Sequence, residues 1–108
     1  MIIVPEMTQD EMLRYLSQPL IAKIATTNVD GTPQLSPVWF MYENGVFYIS
    51  TYEKALKVRN IKRDNRVALL IDSTDGGIKL KGVLVKGIAK LIYGDECKKS
   101  RRKFMISI

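Results

Sequence analysis

The chain has no histidine and a single cysteine, Cys97. Without histidine there is no Ser-His-Asp triad and no imidazole to ligate a metal. A lone thiol builds neither a zinc site nor a CxxC redox pair. It also rules out an internal disulfide and fits a reducing cytoplasm. No GxGxxG fingerprint and no Walker loop occurs. No apolar run approaches the roughly 18 residues of a membrane span. The opening MIIVP lacks the basic segment and long apolar core of a signal peptide, so none is expected. Carboxylates form no evident catalytic pair: Glu43 and Glu53 flank turns, and Asp30, Asp72 and Asp75 read as turn formers. If the protein is an enzyme, an organic cofactor must carry the difficult chemistry.

The 108 residues are 46% hydrophobic and 26% charged, which predicts one ordered domain rather than a disordered chain. A domain of this size buries a limited core, so dimerisation is expected. The net charge of +6 is unevenly placed. Basic residues gather between Lys54 and Arg66 and again between Lys98 and Lys103. That asymmetry points to an anionic partner: a phosphorylated cofactor, an acidic substrate or nucleic acid.

Elements follow from pattern. Thr8 with Glu11 forms a capping box, predicting a helix from Gln9 to Ser17 that Pro19 ends. Leu20 to Asn28 reads as a strand, and Asp30-Gly31 as a hairpin turn of the primed type. The next strand runs from about Gln34 to Tyr42. Pro37 within it predicts a sheet edge, a bulge or a ligand-facing backbone. Asn44-Gly45 is a second hairpin turn. Val46 to Ser50 is a strand, Thr51 and Tyr52 a turn, and Lys54 to Arg63 a helix stopped by Asp64-Asn65, with Asn65 left-handed. Val67 to Ile71 reads as a strand buried on both faces, Ser73 to Gly77 as a loop, and Ile78 to Ile92 as one long strand. The polar positions of that strand change parity near Gly82, predicting a bulge there. Asp95 to Ile108 reads as a helix and then a short strand from Phe104. The whole of 1–108 is one domain, with a barrel core over about residues 20–93 and a basic tail over 94–108.

Within this order, the stretch VFYISTYEKALKVRN (Val46 to Asn60) brings a strand end, hydroxyls, a helix start and two lysines three apart into one segment. Free N–H groups at a helix start, with ammonium groups beside them, suit a phosphate. Thr51, Lys54 and Lys57 are the candidates. Cys97 is read as incidental, and Asn60 as a structural hydrogen-bonding residue.

The residues DGTPQLSPVWF (Asp30 to Phe40), then Ser50-Thr51, then KVRNIKRDNRVALLID (Lys57 to Asp72) resemble the pyridoxamine 5′-phosphate oxidase-like split-barrel flavoproteins. The order of hairpins, strand–turn–helix and long strand is similar over Ile21 to Ile92. The resemblance implies a mainly β fold: a six-stranded antiparallel split barrel with short flanking helices. It further implies a homodimer holding FMN, or alternatively a deazaflavin, at the subunit interface. By the same resemblance Lys57 binds the phosphate and Ser50 and Thr51 contact it or the ribityl chain. Pro37, Val38 and Trp39 lie against the ring. Ala55 and Leu56 stand where many members carry serine or arginine, leaving Lys54 as the second positive charge. The implied activity is hydride or electron transfer to a small molecule, closer to the small FMN- or deazaflavin-dependent reductases than to the vitamin enzymes. A flavin carrier or sensor without turnover is the second reading. A barrel for single-stranded nucleic acid is the third and least favoured, because the aromatic residues precede most of the basic ones.

Overall fold

The computed structural model describes residues 2–4, 7–75, 79–93 and 103–108. They form nine strands and two helices: β1 (Ile2–Val4), α1 (Gln9–Leu16), β2 (Ile21–Thr27), β3 (Pro33–Trp39), β4 (Met41–Glu43), β5 (Val46–Tyr52), α2 (Leu56–Arg63), β6 (Arg66–Asp75), β7 (Lys79–Ile88), β8 (Lys90–Tyr93) and β9 (Lys103–Ser107). A five-stranded sheet has the order β1-β7-β6-β2-β3 and a four-stranded sheet the order β4-β5-β9-β8. All pairs are antiparallel. Among the described residues no helix is long and apolar enough to cross a membrane.

The nine strands exceed the expected six by β1, which no sequence pattern predicted, and by two splits that have a physical reason. Two apolar runs that look continuous in sequence each leave one sheet and enter the other. The run from Gln34 to Tyr42 breaks at Phe40, giving β3 and β4. The run ending at Ile92 breaks at Ala89, whose N–H donates to the Asn65 carbonyl at 2.8 Å. The predicted bulge at Gly82 does not form, since β6 and β7 pair in unbroken register from Arg66↔Ile88 to Asp75↔Lys79. Lys81 shares the inward parity of Val83 but lies past the end of the core, exposed, where its carbonyl accepts from the Tyr15 hydroxyl at 3.2 Å. The change of polarity therefore marks where the core ends.

Turn chemistry is borne out at one hairpin and corrected at the other. Asn44 and Gly45 both take positive φ, 50° and 81°, the two-residue primed turn joining Glu43 to Val46. At the first hairpin only Gly31 has positive φ (86°). The Gly31 N–H donates to Asn28 and the Asn28 N–H to Thr32, which is a three-residue loop with a left-handed glycine. Asp30 holds it by accepting from the Thr32 N–H and hydroxyl. Asn65 is not left-handed; α2 ends with Asp64 extended at φ −140°. The expected loop from Ser73 begins as strand through Asp75, and its two glycines lie outside the described residues.

The inner faces of the two sheets meet over Ala22, Ile24, Leu69, Ile71 and Val83 on one side and Phe47, Ile49 and Ile106 on the other, all buried. Met12, Tyr15 and Leu16 of α1 close one part of this core, with Ile61 of α2. Burying side chains of this size contributes roughly 1.5–3 kcal/mol each before entropy is counted. β6 is buried on its inner face only. Leu70 stands exposed on the outer one, correcting the expectation of a strand covered on both sides. The terminal strand lies between β5 and β8, so residues 103–107 complete the second sheet instead of trailing from it. The helix expected before it falls outside the described residues.

Candidate functional site

β5 continues two residues beyond Ser50, because Thr51 and Tyr52 pair with Phe104 and Lys103 of β9. The turn is therefore Glu53-Lys54, closed by the Ala55 N–H donating to the Tyr52 carbonyl at 3.0 Å. Lys54 sits in that turn, outside the helix, while Lys57 lies in the first turn of α2. The two lysines flank the helix start and do not share a helical face. Ala55 is the N-cap and offers no side-chain hydrogen bond; the first turn holds no acidic residue. Helix starts leave N–H groups unpaired and carry the positive end of the dipole, so cations there are disfavoured unless an anion joins them. Among the described residues neither Lys54 nor Lys57 forms an ion pair.

Strand alternation sorts the remaining candidates. On β5, Thr51 points inward (7% exposed) and Ser50 outward, so the two hydroxyls face opposite sides of the sheet. On β3, Val38 enters the core, while Pro37 and Trp39 (67% exposed) point outward. An external ligand therefore meets the side chains of Pro37, Trp39, Ser50, Lys54 and Lys57, whereas Val38 and Thr51 turn theirs inward and spend their backbone groups on the ladders to Ala22 and Phe104.

The edge expectation for Pro37 holds, with a reason in the register. The Asn28–Thr32 bond fixes the phase of the β2–β3 ladder, so Ala22↔Val38, Ile24↔Ser36 and Thr26↔Gln34 are the hydrogen-bonded pairs. Pro33 and Pro37 fall between them, where the missing N–H faces away from β2. That outer edge of β3 consequently presents more carbonyls than donors. On the inner side, Gln34 Oε1 and Ser36 Oγ are shielded from solvent without a hydrogen-bond partner among the described residues.

A polar knot anchors α2. Asn60, 1% exposed, donates from Nδ2 to Thr26 Oγ1 (3.1 Å) and Asn28 Oδ1 (3.0 Å). Its Oδ1 accepts from Arg63, which also donates to the Thr27 carbonyl. Asn60 is thus structural, as expected, and its partners are side chains. Arg63, though exposed, is part of the knot. At the end of α2, Asp64 takes a two-pronged ion pair from Arg66 (3.0 and 2.8 Å), which holds its carboxyl well below the usual 3.8, at about 2.

Two clefts flank this knot, and neither is lined by any of the seven sequence-predicted residues. One, of about 420 Å³, lies between the Asn28–Asp30 loop and the Leu56, Arg59 and Arg63 face of α2. The other, of about 520 Å³, is a trough on the outer face of the five-stranded sheet, floored by Ala25 and Ala68 and bordered by Arg66 and Lys86. No pattern in the sequence marks it, because it depends on small residues meeting across two distant strands. Among the described residues no cluster of acidic or sulfur ligands suits a metal.

Comparison with known proteins places this geometry. The family described as pyridoxamine 5′-phosphate oxidase matches residues 8–105. A conserved hypothetical protein of Mycobacterium tuberculosis superposes with a TM-score of 0.80 at 24% identity, covering 95% of this chain and 80% of that one. An F420 reductase gives 0.72 at 24% identity, covering 85% and 86%. The heme storage protein HutZ of Vibrio cholerae gives 0.73 at 14% identity, covering 91% and 87%.

Proposed function

The chain belongs to the pyridoxamine 5′-phosphate oxidase family, and from that premise we propose that it binds a phosphorylated flavin-type cofactor, FMN or its deazaflavin counterpart, and acts as an oxidoreductase on a small molecule. The observation that carries this reading is the start of α2: an uncapped helix end, with no acidic residue in its first turn, beside two lysines that form no ion pair among the described residues. A phosphate supplies the hydrogen-bond acceptors that the helix start lacks and a negative charge against its first turn. Lys57, Lys54 and the outward Ser50 would hold it, while the inward Thr51 would keep the strand end in place through its pairing with Phe104. The outer edge of β3, rich in carbonyls, with Pro37 and Trp39 on its exposed side, would lie along the ring, whose N–H donates to such acceptors. When bound, such a cofactor supplies hydride transfer, which the chain's own side chains do not provide.

The name of the F420 reductase supports keeping the deazaflavin beside FMN. Heme, which the name of HutZ brings in, fits less well: with no histidine in the sequence, an axial ligand would have to be tyrosine, methionine or cysteine. A homodimer is supported by the exposed apolar side chains Leu35, Trp39 and Leu70 on one sheet face, which a second copy would cover. The single cysteine supports a reducing, cytoplasmic setting. The test is an absorbance spectrum of the purified protein, followed by mass spectrometry of whatever heating releases. Flavin or deazaflavin absorbance is expected. A colourless protein that takes up neither FMN nor a deazaflavin contradicts the reading. Reduction of the bound cofactor by NADH, NADPH or a reduced deazaflavin separates an enzyme from a carrier.

A further inference from the structure

The outer face of the five-stranded sheet reads as rows across the strands. Trp39 pairs with Ile21; Pro37 pairs with Lys23, and Lys23 with Leu70. The next row is Leu35, Ala25, Ala68 and Lys86. The last is Pro33, Thr27, Arg66 and Ile88. Larger side chains surround Ala25 and Ala68, so the small pair leaves the 520 Å³ trough between them. Its lining includes two charged residues, Arg66 and Lys86, both cations, and no carboxylate.

These cations are arranged differently. Arg66 is paired with Asp64 through Nε and Nη2, which offsets its charge but holds its remaining N–H groups in place, still able to donate. Lys86 is exposed and forms no ion pair among the described residues. The Lys23–Asp72 pair on the same face is closed on itself at 2.6 Å and adds no net charge. The apolar rows at Trp39 and Leu70 suit a second copy of the chain. The margin at Lys86 does not, since burying that ammonium needs a counter-charge that no described residue supplies.

The trough also stands close to the strand proposed to carry the ring. Leu35 and Pro37 are two residues apart on β3, about 7 Å, and each step to the next strand is about 4.8 Å. Its floor at Ala25 therefore lies on the order of 10 Å from Pro37, on the same exposed face.

We infer that this trough is the substrate subsite, and that its ligand is an organic anion with an apolar body: aliphatic or aromatic carbon over Ala25 and Ala68, a carboxylate or similar group at Lys86 and Arg66. The substrate role rests on the cofactor reading above; the binding site itself does not.

The probe is anilinonaphthalenesulfonate, an apolar-bodied anion, with binding read as energy transfer from Trp39, the single tryptophan. Lys86→Gln is expected to weaken the dye by about three- to fivefold, the upper part of what an exposed charge interaction contributes, and to leave uncharged phenylnaphthylamine unchanged. Ala68→Leu fills the floor and is expected to weaken both dyes by at least about tenfold. Dye binding indifferent to both substitutions overturns the site. Sensitivity to Ala68→Leu with none to Lys86→Gln overturns the anionic class of ligand. FMN titrations of the same variants without dye keep the two readings apart. A wild type that binds dye in the trough but no FMN removes the cofactor reading alone. If FMN binds, decanoate in the trough is expected to shift the flavin absorbance, and an unshifted spectrum at saturation overturns the substrate role.

Discussion

Helix α1 starts on Thr8, whose hydroxyl accepts from the Glu11 N–H at 3.2 Å, and carries Asp10 and Glu11 in its first turn. Helix α2, also of eight residues, starts on Ala55, has no side-chain cap, and puts Lys57 where α1 puts its carboxylates. The first end is satisfied within the chain. The second forgoes about 1 kcal/mol of capping and places cations against the positive end of its dipole, a further few tenths of a kcal/mol at an exposed site. A small domain has little stability to spare, so the contrast sets a helix end satisfied within the chain against one that the proposed function gives to an anion.

Substitutions can break that contrast from either side. The largest effect is expected from Lys57→Ala, which should weaken FMN binding by about 1.5–3 kcal/mol, the range of a hydrogen bond to a charged group. Isothermal titration would measure it, and the melting temperature of the unliganded protein should not fall. Asn60→Ala, which strips Thr26 and Asn28 of their buried partner, should cost about 1–3 kcal/mol of stability in urea unfolding. Thr8→Ala turns α1 into a helix like α2 and should lower stability by about 1 kcal/mol without touching FMN affinity. Ala55→Asp is the converse. It gives α2 a cap, stabilises the unliganded chain by about 0.5–1 kcal/mol, and weakens FMN binding because its carboxylate takes the place of the phosphate.

The smallest effect concerns the other end of α2. The Arg66 hydrogen bonds lower the Asp64 pKa from 3.8 to about 2. A carboxyl depressed in the fold contributes stability that is fully present above the ordinary value and is lost as pH falls through the lowered one. The melting-temperature difference between wild type and Asp64→Asn should therefore be present at neutral pH and vanish as pH approaches 2. A difference that grows on acidification would contradict the pairing.

Much of this was readable from local chemistry. Thr8 and Glu11 announce a capped helix, Asn44-Gly45 a primed turn, and Pro37 an edge, because each acts through its own neighbours. What local reading missed depends on distant partners. Thr51 and Tyr52 look like a turn until β9 pairs with them, and that pairing throws Ser50 and Thr51 onto opposite faces. Lys81 looked like evidence for a bulge because alternation does not reveal where a core ends. The break at Ala89 rests on a bond to Asn65, and the trough on Ala25 meeting Ala68; neither leaves a mark within its own segment.

The most direct test compares FMN with riboflavin, which differs by the phosphate alone, on the wild type and on Lys57→Ala. If the start of α2 holds the phosphate, the wild type should prefer FMN by about 1.5–3 kcal/mol, and the substitution should remove most of that preference while leaving riboflavin affinity in place. An FMN preference that survives Lys57→Ala intact would put the phosphate elsewhere.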